Sequence, residues 1–203
     1  MVCWQPMKPA EIGAAYNTIA AWWHAELQNS SRGLGYLERA IGLCTERQRA
    51  LDVGCGTGGR IVTALVNGGF DVTGLDVSEE MLRIAKINHP NAGFLWADVC
   101  EWEPPTHFDI ITAWDSLIHV PHGKQRSVIQ KLCQTLTSQG VILITVGGTD
   151  GVVMGRMQNE SLYHSSLNDH DYLEAMNACG CRCILLERDQ FPEEHTVLIA
   201  VKG

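Results

Sequence analysis

The stretch LDVGCGTGG, residues 51–59, decides the fold that the sequence predicts. It begins as a short apolar run with a single acid, Asp52, and then breaks into a turn rich in glycine. Glycine lets the backbone turn tightly and approach a ligand with no Cβ in the way. The residues that follow, GRIVTALVNGG, have the pattern of a helix, whose first free N–H groups point at whatever the loop holds. The stretch therefore predicts a strand, a ligand-binding loop and a helix in succession.

Strand and helix alternate along the rest of the chain. Further strands are predicted at 70–78, 93–99, 107–117 and 141–148, helices at 9–28, 34–44, 78–90, 122–140 and 167–180, and a terminal pair of strands at 181–190 and 195–203 joined by the turn FPEE. Such alternation is typical of a parallel sheet covered by helices on both faces. The predicted fold class is α/β, a three-layer, doubly wound, Rossmann-like sheet, mostly parallel with an antiparallel C-terminal strand.

Composition limits the function classes. The 203 residues are 45% apolar and 19% charged, which fits one globular domain. The net charge is −8 with scattered Lys and Arg, so no nucleic-acid partner is expected. No apolar run approaches the roughly 20 residues of a membrane helix, and no signal peptide is evident, which predicts a cytoplasmic protein. Within the single domain 1–203 we expect a helical cap over the site at 1–45, a core at 46–203 and a lid-like loop at 148–166.

The glycine loop fits two cofactors. Gly54, Gly56 and Gly59 have the G-x-G-x-x-G spacing of a dinucleotide site. Asp76 ends the next strand, 76 − 56 = 20 residues after the middle glycine, where an acid accepts hydrogen bonds from a ribose. These features fit NAD and S-adenosylmethionine equally, so they do not choose between hydride and methyl transfer.

Three other features favour S-adenosylmethionine. Asp52 lies inside an apolar strand, where an acid is costly without a cationic partner, and the ammonium group of this cofactor supplies one. A pyrophosphate would be repelled there. Asp98 ends the third strand, where a carboxylate can accept from the adenine amino group. The third feature is the terminal pair of strands, which departs from a plain dinucleotide fold.

On these residues the chain resembles class I S-adenosylmethionine-dependent methyltransferases of the small-molecule type. LDVGCGTGG resembles the first motif of that family, LDVS with Asp76 the second, and WADV with Asp98 the third. The run FDIITAWDSLIHV resembles the strand and loop that border the methyl group. The resemblance covers about residues 49–147.

The resemblance implies S-adenosylmethionine as cofactor, with S-adenosylhomocysteine as product. It implies a cofactor site formed by Tyr16, Asp52, Gly54, Cys55, Gly56, Thr57, Asp76, Val77, Met81, Asp98, Val99, Trp114 and Asp115. Among these, Trp114 and Asp115 would flank the sulfonium, and Tyr16 would reach the methionine carboxylate.

Methyl transfer from a sulfonium is an in-line displacement, for which the protein mainly positions the acceptor and excludes water. A base often takes a proton from an O or N acceptor. His119 is the candidate base, with His122 and His164 as alternatives; a histidine held within its loop or stacked on the cofactor is the other interpretation of His119. Trp22, Tyr163 and His164 are candidate substrate contacts. The chemistry needs no metal, and no metal-binding motif is present.

The acceptor is expected to be a small molecule, methylated on O, N or C by a monomer or homodimer. The resemblance supports this, because enzymes of this kind that act on nucleobase amino groups usually carry an N-P-P-Y-like run where this chain has W-D-S-L. Two alternatives stay open. An NAD-dependent oxidoreductase would use the glycine spacing and Asp76 but leaves Asp52 and Asp98 unexplained. A non-catalytic S-adenosylmethionine-binding regulatory module would keep the site without turnover.

Overall fold

A computed structural model describes residues 7–188 and 195–203, and it contains a seven-stranded sheet and a separate two-stranded sheet. The strands are β1 (Arg49–Val53), β2 (Asp71–Asp76), β3 (Gly93–Trp96), β4 (Phe108–Ala113), β5 (Leu136–Gly147), β6 (Gly151–Met157), β7 (Glu160–Ser166), β8 (Cys181–Arg188) and β9 (His195–Lys202). The helices are α1 (Pro9–Leu27), α2 (Leu34–Leu43), α3 (Arg60–Asn67), α4 (Glu79–Asn88), α5 (His122–Gln134) and α6 (Asp169–Asn177), with a 3-10 turn at Leu117–His119. Residues 1–6 of the predicted cap and the predicted FPEE turn lie outside the described residues.

The large sheet confirms the predicted fold class. Its strand order is β3-β2-β1-β4-β5-β9-β8, and neighbouring strands from β3 to β5 are parallel. β9 inserts between β5 and β8 and is antiparallel to both. The chain runs outward from β1 in one direction and then from β4 in the other. In open α/β sheets, ligands bind outside the carboxyl ends of the strands at such a reversal.

Helices cover both faces of this sheet and form its two apolar cores. On one face α2, α3 and α4 pack against the strands, with Leu37, Val62 and Leu82 buried. On the other face α5 and α6 do the same, with Leu132 and Tyr172 at their centre. Among the described residues no helix is long and apolar enough to cross a membrane.

Only part of the predicted helical cap lies over the end of the sheet. α2 packs on a sheet face, whereas α1 crosses the loop that follows β2. A Cβ at Gly13 would lie 2.3 Å from the carbonyl oxygen of Val77, so glycine permits this approach. The side-chain oxygen of Asn17 accepts hydrogen bonds from the Ser78 hydroxyl (2.7 Å) and the Glu80 N–H (3.0 Å). These contacts dock α1 on the start of α4.

The helix predicted over 122–140 is too long. α5 ends at Gln134, and β5 begins at Leu136, which pairs with Phe108 at the start of β4. Leu136 is buried, and the Thr137 hydroxyl donates to Asp109 at 3.0 Å. These contacts outweigh the weak local preference for helix at the end of α5.

The prediction of a loop over 148–166 is also corrected, because most of this segment is an antiparallel hairpin of β6 and β7. The two strands are joined by Gln158 and Asn159, and Gln158 has a left-handed φ of 53°. Two-residue hairpin turns often contain Asn-Gly or Asp-Gly, and this turn has neither. Leu162 and Tyr163 of β7 are buried against α1. The hairpin thus lies beside the same sheet edge that α1 covers.

Candidate active site

A cavity of about 1170 Å³ opens at the carboxyl ends of β1, β2 and β4, under α1. Every residue predicted to bind the cofactor lines it, and so does His119. These residues come from α1, from the loops after β1, β2, β3 and β4, and from the start of α4. The structure therefore brings together side chains that lie up to about a hundred positions apart in the sequence.

The glycine loop is held at the end of β2. The N–H groups of Gly54 and Cys55 both donate to the carbonyl oxygen of Leu75, at 2.7 and 3.1 Å. Gly54 has a φ of 71°, and a Cβ there would lie 2.2 Å from the Cβ of Ser116 in the loop after β4. The loop can therefore take this path only with glycine at position 54.

Asp76 joins the glycine loop to the start of α4. One carboxylate oxygen accepts the N–H of Gly56 at 2.8 Å, and the other accepts the N–H of Ser78 at 2.9 Å. Burial raises the pKa of Asp76, while these N–H groups oppose the shift. The carboxylate lines the cavity, so it is positioned both to brace the loop and to accept from a ligand hydroxyl.

Asp52 is the most deeply desolvated acid of the cavity wall. Its side chain is 3% exposed and accepts one hydrogen bond from the Thr112 hydroxyl, at 2.7 Å. Burial raises its pKa to about 7; the Thr112 hydroxyl opposes this, the charge of Asp76 adds to it and Arg60 opposes it. A cationic group entering the cavity would favour the ionised form of Asp52.

Another part of the cavity wall combines apolar side chains with one carboxylate. Met81 is fully buried on the first turn of α4, and Val99 is nearly so after β3. Asp98, which precedes Val99 in the chain, accepts the N–H of Cys100 at 2.8 Å. An apolar slot with an acceptor at its edge suits a flat ring that bears an amino group.

Tyr16 and His119 form a hydrogen-bonded pair on the cavity wall. The hydroxyl of Tyr16 lies 2.8 Å from Nε2 of His119, and Nδ1 of His119 lies 2.9 Å from the carbonyl oxygen of Tyr163. A carbonyl only accepts, so Nδ1 carries the hydrogen, and in a neutral ring Nε2 then accepts from Tyr16. In this arrangement Tyr16 contacts His119, and the Tyr16 oxygen has its lone pairs left for a ligand.

The electrostatics keep this pair neutral. Burial lowers the pKa of His119 to about 4, with the Tyr163 carbonyl opposing the shift and His164 adding to it. Burial, and then the charges of Asp76 and Asp115, hold the pKa of Tyr16 well above its usual value. At neutral pH the pair is therefore a neutral phenol that donates to a neutral imidazole.

The candidate substrate contacts are less well supported by the geometry. Trp22, 37% exposed, packs edge-on against Trp23, and it is Trp23 that lines the cavity. Tyr163 is buried behind His119, and its hydroxyl accepts the N–H of His122 at 3.1 Å. The ring of His164 packs on that of His119 with centroids 5.1 Å apart. None of the three candidates is among the described residues of the cavity wall, so a direct substrate contact would require a different arrangement.

Other residues of the site escaped the sequence analysis. Arg60 begins α3 and is the cation of the described cavity wall. Thr145 and His195 lie on β5 and β9 beside Asp115, and no local pattern marks them.

The charges of the described cavity wall test the choice between the two cofactors. Four carboxylates, those of Asp52, Asp76, Asp98 and Asp115, line it with one cationic side chain, Arg60. A pyrophosphate at the glycine loop would meet Asp52 and Asp76, whereas a sulfonium with an ammonium group would be attracted. The donor set therefore fits S-adenosylmethionine and not NAD.

Comparison with known proteins agrees with this geometry. Residues 50–140 match the model of a methyltransferase domain family. A ubiquinone biosynthesis O-methyltransferase from Nitrosomonas europaea is 30% identical over 118 residues, 55% of this chain and 48% of that protein. One from Paracidovorax citrulli is 31% identical over 146 residues, 65% of this chain and 58% of that protein. The chain spans about half the length of the curated relatives it matches.

Solved structures with low sequence identity share the fold. The crystal structure of magnesium protoporphyrin IX methyltransferase from Synechocystis, with bound S-adenosylmethionine, superposes with a TM-score of 0.71 at 14% identity, covering 98% of this chain and all (100%) of that one. Residues 50–140 thus match a methyltransferase domain, and the chain is similar in sequence to O-methyltransferases and in fold to S-adenosylmethionine-dependent methyltransferases. Its expected cofactor is S-adenosylmethionine.

Proposed function

We propose that this chain transfers the methyl group of S-adenosylmethionine to an O, N or C atom of a small molecule. The observation that carries the proposal is the cavity itself. Its wall combines the glycine loop, Asp76 and Asp98 with the neutral Tyr16–His119 pair. Such a wall offers carboxylates to a nucleoside and leaves polar groups for a second reactant.

The residues of the cavity wall would have separate roles in this proposal. Asp76 and Asp98 would hold the ribose and the adenine, and Asp52 would balance the charge of the methionine ammonium group. When bound, S-adenosylmethionine supplies an already activated methyl group. The protein then has to align the acceptor, shield it from water and accept its proton.

The Tyr16–His119 pair would orient the acceptor, a role for Tyr16 that differs from the contact with the methionine carboxylate that the resemblance implies. The Tyr16 oxygen can accept a hydrogen bond from an acceptor hydroxyl while Tyr16 itself donates to His119. With a pKa of about 4, His119 is a weak base, so we assign it first to holding Tyr16 and only second to taking a proton. This narrows the general-base role predicted for His119.

The acceptor is proposed to be a small molecule methylated on oxygen. The support comes from the sequence relatives, which are named as O-methyltransferases. Not every structural neighbour methylates oxygen, since one is a sugar N-methyltransferase from Streptoalloteichus. As the sequence analysis predicts, we place the protein in the cytoplasm as a monomer or homodimer.

Calorimetry tests the proposal before any acceptor is known. We expect micromolar binding of S-adenosylmethionine and of S-adenosylhomocysteine, and no binding of NAD. An acceptor panel read by release of S-adenosylhomocysteine would follow. Binding of NAD alone would contradict the proposal and restore the oxidoreductase. Binding of S-adenosylmethionine without turnover of any acceptor, together with a stable protein partner, would indicate the regulatory module.

A further inference from the structure

Asp115 has an unusual backbone conformation at the edge of the site. It follows β4 by two residues and has a φ of 54°, in the left-handed region that favours glycine and, among other residues, asparagine and aspartate. Residues held in that region cost stability and persist where the surrounding structure determines them, often at functional sites. The question is what this conformation presents to the cavity.

Asp115 is fixed from both its backbone and its side chain. Its N–H donates to the hydroxyl oxygen of Thr145 at 2.7 Å, and that hydroxyl donates back to Oδ1 of Asp115 at 3.1 Å. Nδ1 of His195 lies 3.5 Å from the same Oδ1. Thr145 is buried in β5, so the anchor is rigid. The described contacts engage Oδ1, which leaves Oδ2 available to a ligand.

The side chain of Asp115 is 36% exposed and lines the cavity. Its charge is one of the causes of the raised pKa of Tyr16, so the carboxylate and the Tyr16 hydroxyl act on the same space. The other three carboxylates of the wall, Asp52, Asp76 and Asp98, hydrogen-bond to Thr112 or to backbone N–H groups. Asp115 is instead anchored through Oδ1 by Thr145 of β5 and His195 of β9.

We propose that Asp115 binds the methyl acceptor, which therefore presents an O–H or N–H group at the atom that is methylated. The inference rests on the proposed function and adds contact with the acceptor to the role of flanking the sulfonium that the resemblance implies. For a hydroxyl acceptor, the oxygen forms the new C–O bond while the S–C bond of the sulfonium breaks. The S–C electron pair stays on sulfur as a neutral thioether, and the acceptor proton passes to the Asp115 carboxylate.

A cofactor analogue can test this without a known acceptor. In sinefungin a carbon that bears a primary amine replaces the methyl-bearing sulfur, so its N–H donors lie where the methyl group would be. We expect Asp115→Asn to weaken sinefungin at least tenfold while S-adenosylhomocysteine affinity changes less than about twofold. The Asp71→Asn variant, an exposed acid at the start of β2, is the matched control and should change neither.

The outcomes separate the two proposals. Failure of the unmutated protein to bind either ligand would overturn the proposed function and this inference with it. If the unmutated protein binds both, equal losses in Asp115→Asn would make Asp115 a cofactor residue, and no loss would remove it from the site. Either result overturns the inference and leaves the proposed function standing.

A second variant guards against a folding defect. Asp115→Gly removes the carboxylate and relieves the left-handed strain, so it should melt no lower than the unmutated protein and should lose sinefungin affinity like Asp115→Asn. Retained sinefungin affinity in Asp115→Gly would contradict the inference. In the acceptor panel, turnover of carboxylic acids to the exclusion of alcohols, phenols and amines would also overturn it.

Discussion

The residues proposed to hold the cofactor, here called the cofactor end, and the residues proposed to hold the acceptor, here called the acceptor end, are built in different ways. At the cofactor end, the carboxylates accept from N–H groups close in the chain or at the next strand end, as Asp76 does from Ser78 and Gly56. At the acceptor end, the contacts join distant segments, as in Tyr16 with His119 across 103 positions. The first end is a property of the sheet edge. The second exists only once α1 and the β6–β7 hairpin have docked.

From this difference we expect substitutions in the two groups of residues to have different effects on binding, stability and turnover. A change at the cofactor end disturbs a loop that the sheet itself holds, so binding and stability should fall together. A change at the acceptor end removes a contact between docked pieces, so turnover should fall with little loss of cofactor binding. The predictions below test this division.

The largest effect is expected at Gly54. Gly54→Ala combines a left-handed φ of 71° with a Cβ 2.2 Å from that of Ser116, which should cost roughly 2–4 kcal/mol of stability and abolish cofactor binding. Gly42→Ala on α2 is the control, since Gly42 does not line the cavity and no atom lies within 4 Å of its added Cβ. Thermal melting and calorimetry measure both effects. Equal behaviour of the two variants would break the argument for a sheet-held loop.

At the acceptor end, His119→Ala should lower turnover by about a hundredfold, the scale of a misplaced reactant, because Tyr16 loses the partner that holds it. S-adenosylhomocysteine affinity should stay within about threefold, because His119 contacts Tyr16 and not the glycine loop. Tyr16→Phe, which keeps the ring and removes the hydroxyl, should show the same division. Steady-state kinetics and calorimetry together are the measurement, and equal losses in both would assign the pair to the cofactor.

Asp76→Ala should weaken S-adenosylmethionine binding about tenfold or more, because a hydrogen bond to a charged group is worth roughly 1.5–3 kcal/mol. Stability should fall as well, since the N–H groups of Gly56 and Ser78 lose their acceptor. Asp71→Asn on the same strand is the control for the cofactor titration. Unchanged affinity by calorimetry would remove Asp76 from the site.

Asp52 gives a pH-dependent prediction. Its pKa of about 7 in the folded protein lies above the ordinary value of 3.8, so the folded state binds the extra proton and loses stability as pH rises between those values. Asp52→Asn removes that cost and should raise the melting temperature of the ligand-free protein by roughly 3 °C or more at pH 8. The gain should be smaller at pH 5. Cofactor affinity should fall, and equal melting shifts at both pH values would contradict the assignment.

The smallest effect concerns the hairpin. Thr18 of α1 donates to Glu160 of β7 at 2.9 Å in an exposed position. Glu160→Ala should cost about 0.5 kcal/mol, the scale of a solvent-exposed polar contact, and shift the melting temperature by only about 1–2 °C. A loss of turnover greater than this small loss of stability explains would support the proposal that the hairpin places α1 over the acceptor.

Local pattern was enough for most of the fold. The alternating periods placed the strands of the parallel sheet and the antiparallel end, because each element must bury its own apolar face. Two elements were wrong, and both depend on partners distant in sequence. α5 stops before Thr135 because Leu136 pairs with Phe108, and the β6–β7 hairpin forms around a Gln158 turn that carries no glycine signal.

The residues proposed to bind the cofactor could be predicted from the sequence alone. A glycine loop and an acid at the end of each of two strands are local signals, and parallel strands bring their carboxyl ends to one edge. The contacts among the residues proposed for the acceptor could be seen only in the tertiary structure. It pairs Tyr16 with His119, sets Asp115 on Thr145 and His195, and puts Trp23 rather than Trp22 on the cavity wall. These contacts join segments whose spacing in the chain carries no periodic signal, so they appear only when the pieces pack.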